Sequence, residues 1–408
     1  MRVLFVHQNF PGQFVHVAKA LADRGHDVRA VTDAGNARPE IVPTLRYAVT
    51  VPNLRAVPAL ARTFAERTAR GEAVATALSA LAAEGWAPDV LVAHPGWGES
   101  FFLRDVFPRA RLIAFAEFYY AAEGADTDFD PEFQSVTPAA RHRIRARNAA
   151  MLPAFVEADL AVAPTRWQAS RFPADVQGKM VVLHEGVDTD AIAPRADVTM
   201  TFGRGGLTLE AGDEIVTFVN RNLEPYRGYH VMMRALPAIL EARPRAHVVL
   251  VGGDGVSYGA APPQGMTWKT VFLAEVGRQL PLERVHFVGR VPHAQFVSLM
   301  QISAAHVYLT YPFVLSWSLL EAMSAGALVV GSRTPPVEEV ITHGVNGLLV
   351  DFFDTRALAV TVADVLGHQD EYRPLRAAAR ETVVANYDLA RRCLPDWIRL
   401  VEDGVGPA

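Results

Sequence analysis

Two doubly wound α/β domains, each a parallel sheet covered by helices on both faces, are predicted by three observations. Short apolar runs alternate with helical patterns along the chain, and the alternation restarts near the middle. The 408 residues exceed what one ordinary core organises, and an apolar content of 50% supplies two.

In the first half the strand runs are 3–6, 26–32, 89–93, 112–116 and 160–163, dense in Val, Leu, Ile and Ala with little polar alternation. Strands buried on both faces read this way. Helical patterns at 13–24 and 56–84 lie between them. The second half repeats the scheme with runs at 214–219, 247–251, 285–288, 306–309, 328–330 and 347–350, and a helix at 229–241. The expected domains are therefore 1–190 and 191–385, Rossmann-like and facing a cleft, with ligands at the carboxyl ends of the strands. Residues 188–212, rich in Pro, Gly and polar residues without a clear period, read as the hinge. A last helix at 389–402 suits either domain by its pattern alone.

The 39 basic and 44 acidic residues are mixed along the chain and leave a net charge of -5, which excludes nucleic acid as a partner and requires local positive groups for any anionic ligand. A single cysteine, Cys393, excludes an internal disulfide and fits a reducing compartment. Met1-Arg-Val-Leu-Phe-Val-His7 reads as a buried strand and not a signal peptide, and no apolar run reaches bilayer length, so a soluble cytoplasmic protein is expected.

Candidate site residues cluster after strand ends. Gly12, in a tight turn between the first strand and its helix, either brings backbone close to a phosphate or makes a routine turn. His94, in a loop with two glycines and Trp97, is either a site residue or a structural histidine. Arg221 and Arg227 lie in the loop between a strand and the helix at 229–241, where two guanidinium forks suit a diphosphate. Farther on, a loop opens onto a helix carrying Ser316, Ser318 and Glu321. Its free N–H groups attract phosphate, and the carboxylate suits a ribose diol. The spacing Ser318-Leu-Leu-Glu321 equally fits a capping box. The acidic run Asp126-Thr-Asp128-Phe-Asp130 lacks the Gly and Glu of a calcium loop and reads as a solvated loop, so no metal site is assigned. Arg141, Arg143, Arg145 and Arg147 form either a solvated helix face or a patch for an anionic lipid or a phosphate-bearing acceptor.

Taken in order, His184-Glu-Gly-Val-Asp188, Asn220 to Gly228, Val251-Gly-Gly-Asp254-Gly255, Val285-His-Phe-Val-Gly289, Leu320-Glu321-Ala-Met-Ser-Ala-Gly326 and Gly344-Val-Asn-Gly347 resemble the retaining glycosyltransferases of family 4, which have the two-domain GT-B fold. The resemblance implies that Arg221 and Arg227 bind a donor diphosphate, with Arg227 where the family usually has lysine. Glu321 would hold the ribose, backbone at Arg290 and Val291 would meet the base, and backbone at Leu315, Ser316 and Trp317 would face sugar or phosphate. Gly12 would lie near the phosphate and acceptor, and His94 near the transferred sugar. The segment from 386 to 408 would pack back on the first domain.

One position departs from the pattern. The family has a pair of glutamates eight apart, and Phe313 stands where the first belongs. The implied activity is retaining transfer of a sugar from a nucleotide-diphosphate sugar, with uridine the expected base, to a carbohydrate, lipid-linked or small-molecule acceptor. It would need no metal or other cofactor, since arginines take the cation's place. Contact with the inner membrane face would run through the arginine patch. The alternatives are an epimerase or a sugar phosphorylase on the same fold, or an inactive binding protein.

Overall fold

The computed structural model describes residues 1–202 and 206–407. The chain divides into two compact units, one formed by 1–128, 135–186 and 389–408, the other by 129–134 and 187–388.

The first unit holds strands β1 (Arg2–Val6), β2 (Asp27–Asp33), β3 (Thr44–Tyr47), β4 (Val90–Ala93), β5 (Arg111–Phe115), β6 (Leu160–Ala163) and β7 (Met180–Val182). They form one parallel sheet in the order β3-β2-β1-β4-β5-β6-β7. Successive residues of β1 feed opposite faces: Leu4 and Val6 join Val74, Leu78 and Phe155, while Val3 and Phe5 join Phe14, Phe115, Trp397 and Leu400. The helix Leu394–Asp403 thus seals one face of this sheet, and the Trp397 indole donates to the His184 carbonyl oxygen at 3.2 Å.

The second unit holds an antiparallel hairpin, β8 (Thr199–Phe202) with β9 (Leu207–Glu210), and six further strands. These are β10 (Ile215–Asn222), β11 (His247–Gly253), β12 (Val285–Gly289), β13 (Ala305–Tyr308), β14 (Leu328–Ser332) and β15 (Leu348–Val350), all parallel, in the order β12-β11-β10-β13-β14-β15. In each sheet the winding reverses beside its first central strand, between β1 and β4 and between β10 and β13. Open α/β sheets gather their ligands at such a point.

Two expectations are corrected. Residues 188–212 are not a featureless hinge: their described part carries the hairpin, and Val198, Phe202 and Leu209 enter the core of the second unit. The short alternation of Thr199-Met-Thr-Phe202 with Leu207-Thr-Leu-Glu210 is hidden in the sequence by the glycine-rich segment between them, of which 203–205 lie outside the described residues. Nor is the acidic loop solvated. Asp130 is buried in the second unit, where it accepts a hydrogen bond from the Tyr311 hydroxyl at 2.6 Å and lies 3.2 Å from His230 Nε2. Phe129 packs on Phe352 and Phe353, Phe133 packs on His230 and Trp268, and Glu132 pairs with the Arg234 fork at 2.7 Å. The aromatics that flank Asp130 bury it.

Burial alone would raise the Asp130 carboxyl, but hydrogen bonds from His230 and Tyr311 outweigh it and hold the group below its ordinary range. A depressed carboxyl contributes stability that is complete above its unfolded value, about 3.9, and is lost as pH falls through the lower folded value. Asp130→Asn should therefore destabilise the second unit by about 3 kcal/mol at pH 7. The gap to the native protein should close below about pH 4, as read from denaturant midpoints at a series of pH values. A gap that stays constant with pH would mean that the carboxylate charge contributes nothing.

Candidate functional site

At the switch point of the second unit, β10 ends in Arg221 and Asn222, and a short turn, Pro225–Arg227, leads through Gly228 into the helix Tyr229–Ala242. Gly228 has φ of 73°, and a Cβ there would lie 2.3 Å from the Leu309 side chain beyond β13. Only glycine allows this turn to press against the neighbouring strand end. That approach carries Arg227 across the switch point, where its Nη1 donates to the Thr310 hydroxyl at 2.7 Å and the Val314 carbonyl at 3.1 Å. Arg227 is only 7% exposed and forms no ion pair with a carboxylate among the described residues. A buried cation without a counter-ion is costly unless an anion arrives.

The other candidates of this unit converge by a chain of contacts. Arg290 Nη2 donates to Asn222 Oδ1 at 2.9 Å and its Nε to the Arg221 carbonyl at 3.4 Å, which ties the turn after β12 to the end of β10. Val291 follows in the same turn, half-buried. Two residues on, His293 Nε2 lies 2.7 Å from Glu321 Oε1, so the carboxylate faces that turn. Arg221 itself is exposed.

Ser316, not Ser318, is the N-cap of the helix Trp317–Ala325, and no side-chain cap bond forms. The capping box that the spacing allowed is therefore absent. Ser316 Oγ and Ser318 Oγ lie 3.0 Å apart, and the Ser316 amide is occupied by the Tyr308 hydroxyl at 2.8 Å. Leu315 points into the core, so only its backbone is available to a ligand, whereas Trp317 is 47% exposed. Phe313, 3% exposed, stands against Tyr226 and Tyr258 with ring centroids 5.1 and 4.9 Å away, and the Arg227 guanidinium lies 5.5 Å from its ring centroid. Glu224 anchors this aromatic wall by accepting backbone N–H bonds from Ser257, Tyr258 and Gly259 at 3.1–3.2 Å.

In the first unit Gly12 and His94 flank the corresponding switch point. His94, buried, stacks on Trp97 at 4.4 Å and meets the His7 ring at 5.2 Å. Its Nδ1 accepts from the Gly96 amide at 3.1 Å, and its Nε2 has no hydrogen-bond partner and lies 3.5 Å from Glu117 Oε2. Gly12 has φ of 51°, and a Cβ there would lie 2.8 Å from the His7 imidazole. Burial first, then the charge of His94, pushes the His7 imidazole well below its ordinary range, so it is neutral near pH 7.

Of the arginine patch, Arg141 pairs with Glu123 and Arg147 stacks over the Tyr120 ring, while Arg143 and Arg145 are exposed. No helix of the described residues is long and apolar enough to cross a membrane.

Sequence reasoning missed His7, Asn222, His293 and Thr310. Asn222 lies inside the motif from Asn220 to Gly228 but was given no role there, and the other three lie in no motif with fixed spacing. The available signal was their place at or past the carboxyl ends of strands, beside a switch point for His7, Asn222 and Thr310 and after the edge strand β12 for His293.

The geometry has counterparts in known proteins. The family model described as "Glycosyl transferase family 4 group" matches residues 24–192, and that described as "Glycosyl transferases group 1" matches residues 204–382. The D-inositol 3-phosphate glycosyltransferase of Corynebacterium urealyticum is 28% identical over 212 residues, 50% of this chain and 48% of that protein. The GDP-mannose-dependent alpha-(1-6)-phosphatidylinositol monomannoside mannosyltransferase of Mycolicibacterium smegmatis is 26% identical over 58% of this chain and 60% of that one. The chain thus spans about half the length of the curated relatives it matches. HepE of Anabaena, solved in complex with UDP, superposes with a TM-score of 0.67 at 16% identity, covering 99% of each chain. That likeness shows the fold, the two-domain GT-B architecture.

With no capping bond on Glu321, its removal should leave the helix intact. Glu321→Gln should change unfolding stability by less than about 0.5 kcal/mol, whereas loss of a working capping contact costs about 1 kcal/mol. Chemical denaturation of the two proteins decides between these values.

Proposed function

Since the chain belongs to the family 4, group 1 glycosyl transferases, we propose that it moves a sugar from a nucleotide-diphosphate sugar to a hydroxyl acceptor with retention at the anomeric carbon and without a metal. The observation that carries the donor assignment is Arg227, a buried guanidinium with no carboxylate partner at the switch point of the second unit. Arg221 and Arg227 bind the diphosphate, and the glycosidic oxygen departs with it.

Glu321 takes the ribose hydroxyls, and the turn at Arg290 and Val291 meets the base. The HepE complex with UDP supports uridine. Backbone at Leu315 and Trp317 lies toward the sugar phosphate.

Chemically, the bond from the anomeric carbon to the diphosphate oxygen breaks, and the acceptor oxygen bonds to that carbon from the same face. The acceptor proton passes to a leaving-group oxygen. This route requires stabilisation of the leaving diphosphate, which fixed guanidinium groups supply. It requires no protein nucleophile. The first unit contributes Gly12 and His94 to the acceptor and sugar side, where the unpartnered Nε2 of His94 is suited to a sugar hydroxyl.

Calorimetric titration of UDP, GDP and ADP without metal tests the donor site. UDP should bind most tightly, and Arg221→Ala and Glu321→Ala should each weaken it by about tenfold or more. Absence of binding by every nucleotide rejects the donor site, and unchanged binding in both variants rejects the residue assignment. Product formation only with an added acceptor separates a transferase from an epimerase. A protein that binds UDP yet never turns over a nucleotide-sugar would be the inactive form that Phe313 raises as a second reading.

A further inference from the structure

Among the described residues only two arginines are fully buried, Arg227 in the second unit and Arg67 in the first, and neither forms an ion pair with a carboxylate. Arg227 is accounted for by the donor diphosphate. Arg67, 8% exposed on the helix Arg62–Ala83, has no role in the reading above.

Its placement is fixed by close packing. Gly98, in the loop that carries His94, has φ of 110°, and a Cβ there would lie 2.4 Å from the Arg67 carbonyl oxygen and 2.7 Å from its Cα. The helix therefore presses directly on the His94 loop at the carboxyl end of β4. From there Arg67 Nη1 donates to the Arg147 carbonyl at 3.1 Å. The Arg147 guanidinium lies 3.5 Å from the Tyr120 ring centroid, and its Nη2 donates to the Tyr120 hydroxyl at 2.6 Å. Asn148 staples the Tyr120 backbone on both sides, accepting from its N–H at 3.2 Å and donating to its carbonyl at 2.6 Å. Three separate elements thus hold two guanidiniums and a phenol beside the loop of His94.

Neither Arg67 nor Arg147 forms an ion pair with a carboxylate among the described residues, while the charges of Glu117 and Asp126 act on the Tyr120 hydroxyl. Burial, then the charge of Arg147, holds the Arg67 guanidinium below its ordinary range, with Tyr120, Glu99 and Glu66 acting the other way. Of these acids, Glu99 is buried, and burial pushes its carboxyl up despite the Tyr47 hydroxyl at 2.7 Å and Arg70 at 3.8 Å. Arginine stays charged even when buried, so an anion with several oxygens is the group that relieves the cluster.

We propose that Arg67, Arg147 and the Tyr120 hydroxyl form a subsite for a phosphate group carried by the acceptor, as on a phosphorylated sugar or polyol or on a lipid headgroup. The subsite lies beside His94 in the first unit, whereas the donor residues belong to the second, and its role as an acceptor site rests on the glycosyl-transfer reading. Arg143 and Arg145, exposed on the helix Pro138–Ala149 that carries Arg147, are not part of it.

Inorganic phosphate is the probe, titrated into the full-length protein with UDP present to occupy the diphosphate site. Phosphate should bind saturably. Its Kd should rise about tenfold in Arg67→Ala and Arg147→Ala and about threefold in Tyr120→Phe, while Arg143→Ala leaves it unchanged. Arg147 is exposed, so its variant keeps the test valid if Arg67→Ala fails to fold. No saturable binding, binding unaffected by Arg147→Ala, or binding lost in Arg143→Ala each overturns the subsite.

UDP affinity measured on the same samples separates the two readings. Native protein that binds UDP but not phosphate rejects this subsite alone, and protein that binds phosphate but not UDP rejects the donor site alone. Sedimentation with phosphatidic acid vesicles, against phosphatidylcholine controls, assigns the source of the phosphate. Recruitment abolished by Arg147→Ala indicates a lipid headgroup, and phosphate binding without recruitment indicates a soluble acceptor.

Discussion

Arg227 is a positive charge with almost no access to water, held across the point where the second sheet changes its direction of winding. Its Nη1 ties the end of β10 to the loop after β13 through Thr310 and Val314. The approach exists because Gly228 lets the turn press against Leu309. Parallel strands provide the framework, since both strand ends point the same way and leave their loops side by side. The backbone hydrogen bonds of a sheet do not require a cation at that place. Its desolvation is a standing cost, which the phosphate of the proposed donor would offset.

Phe313 is intelligible in the same terms. A carboxylate at that position would stand close to the Arg227 guanidinium and provide the counter-ion that is now missing. The phenyl ring, together with Tyr258, instead offers aromatic faces about 5.5 Å away. Such faces favour a desolvated cation by about 2 kcal/mol, less than a full charge pair in a buried place. In the proposed donor site, phenylalanine would therefore leave more of the arginine's charge for the diphosphate and would remove one acceptor of sugar hydroxyl hydrogen bonds. Looser sugar discrimination with firm diphosphate binding would be the physical consequence of that proposal.

What the sequence made legible follows burial. The central strands β1, β4, β5, β10, β11 and β13 are apolar on both faces and stand out as continuous runs. The edge strands β3 and β7 were missed because they are short and partly exposed: Thr44-Leu-Arg-Tyr47 buries only Tyr47, and Met180-Val-Val182 buries none. Within the site, arginines and a glutamate in spaced motifs could be read, but partners brought together by topology could not. His293 meets Glu321 from 28 residues away, and Thr310 meets Arg227 from 83. The cap at Ser316 was displaced from Ser318 for a similar reason, since the Tyr308 hydroxyl from β13 takes the Ser316 amide and fixes where the helix starts. Asp130 was misread because its fate depends on Tyr311 and His230, which lie far along the chain.

The two buried arginines show how one fold, used twice, reaches the same solution by different local means. In the second unit the charge sits in the turn after the central strand, and a glycine at 228 brings that turn to its neighbour. In the first unit the corresponding turn holds the neutral His7 and Gly12, and the guanidinium that reaches it, Arg38 on the Asn9 carbonyl at 3.0 Å, is exposed and not buried. The cation comes instead from a helix, and a glycine at 98 brings the next loop to it. In both units a glycine permits a backbone approach closer than any side chain allows, and that approach buries a guanidinium at the carboxyl edge of the sheet. A charge buried by such tight packing cannot swing out to solvent to relieve its desolvation, so the anion must come to it.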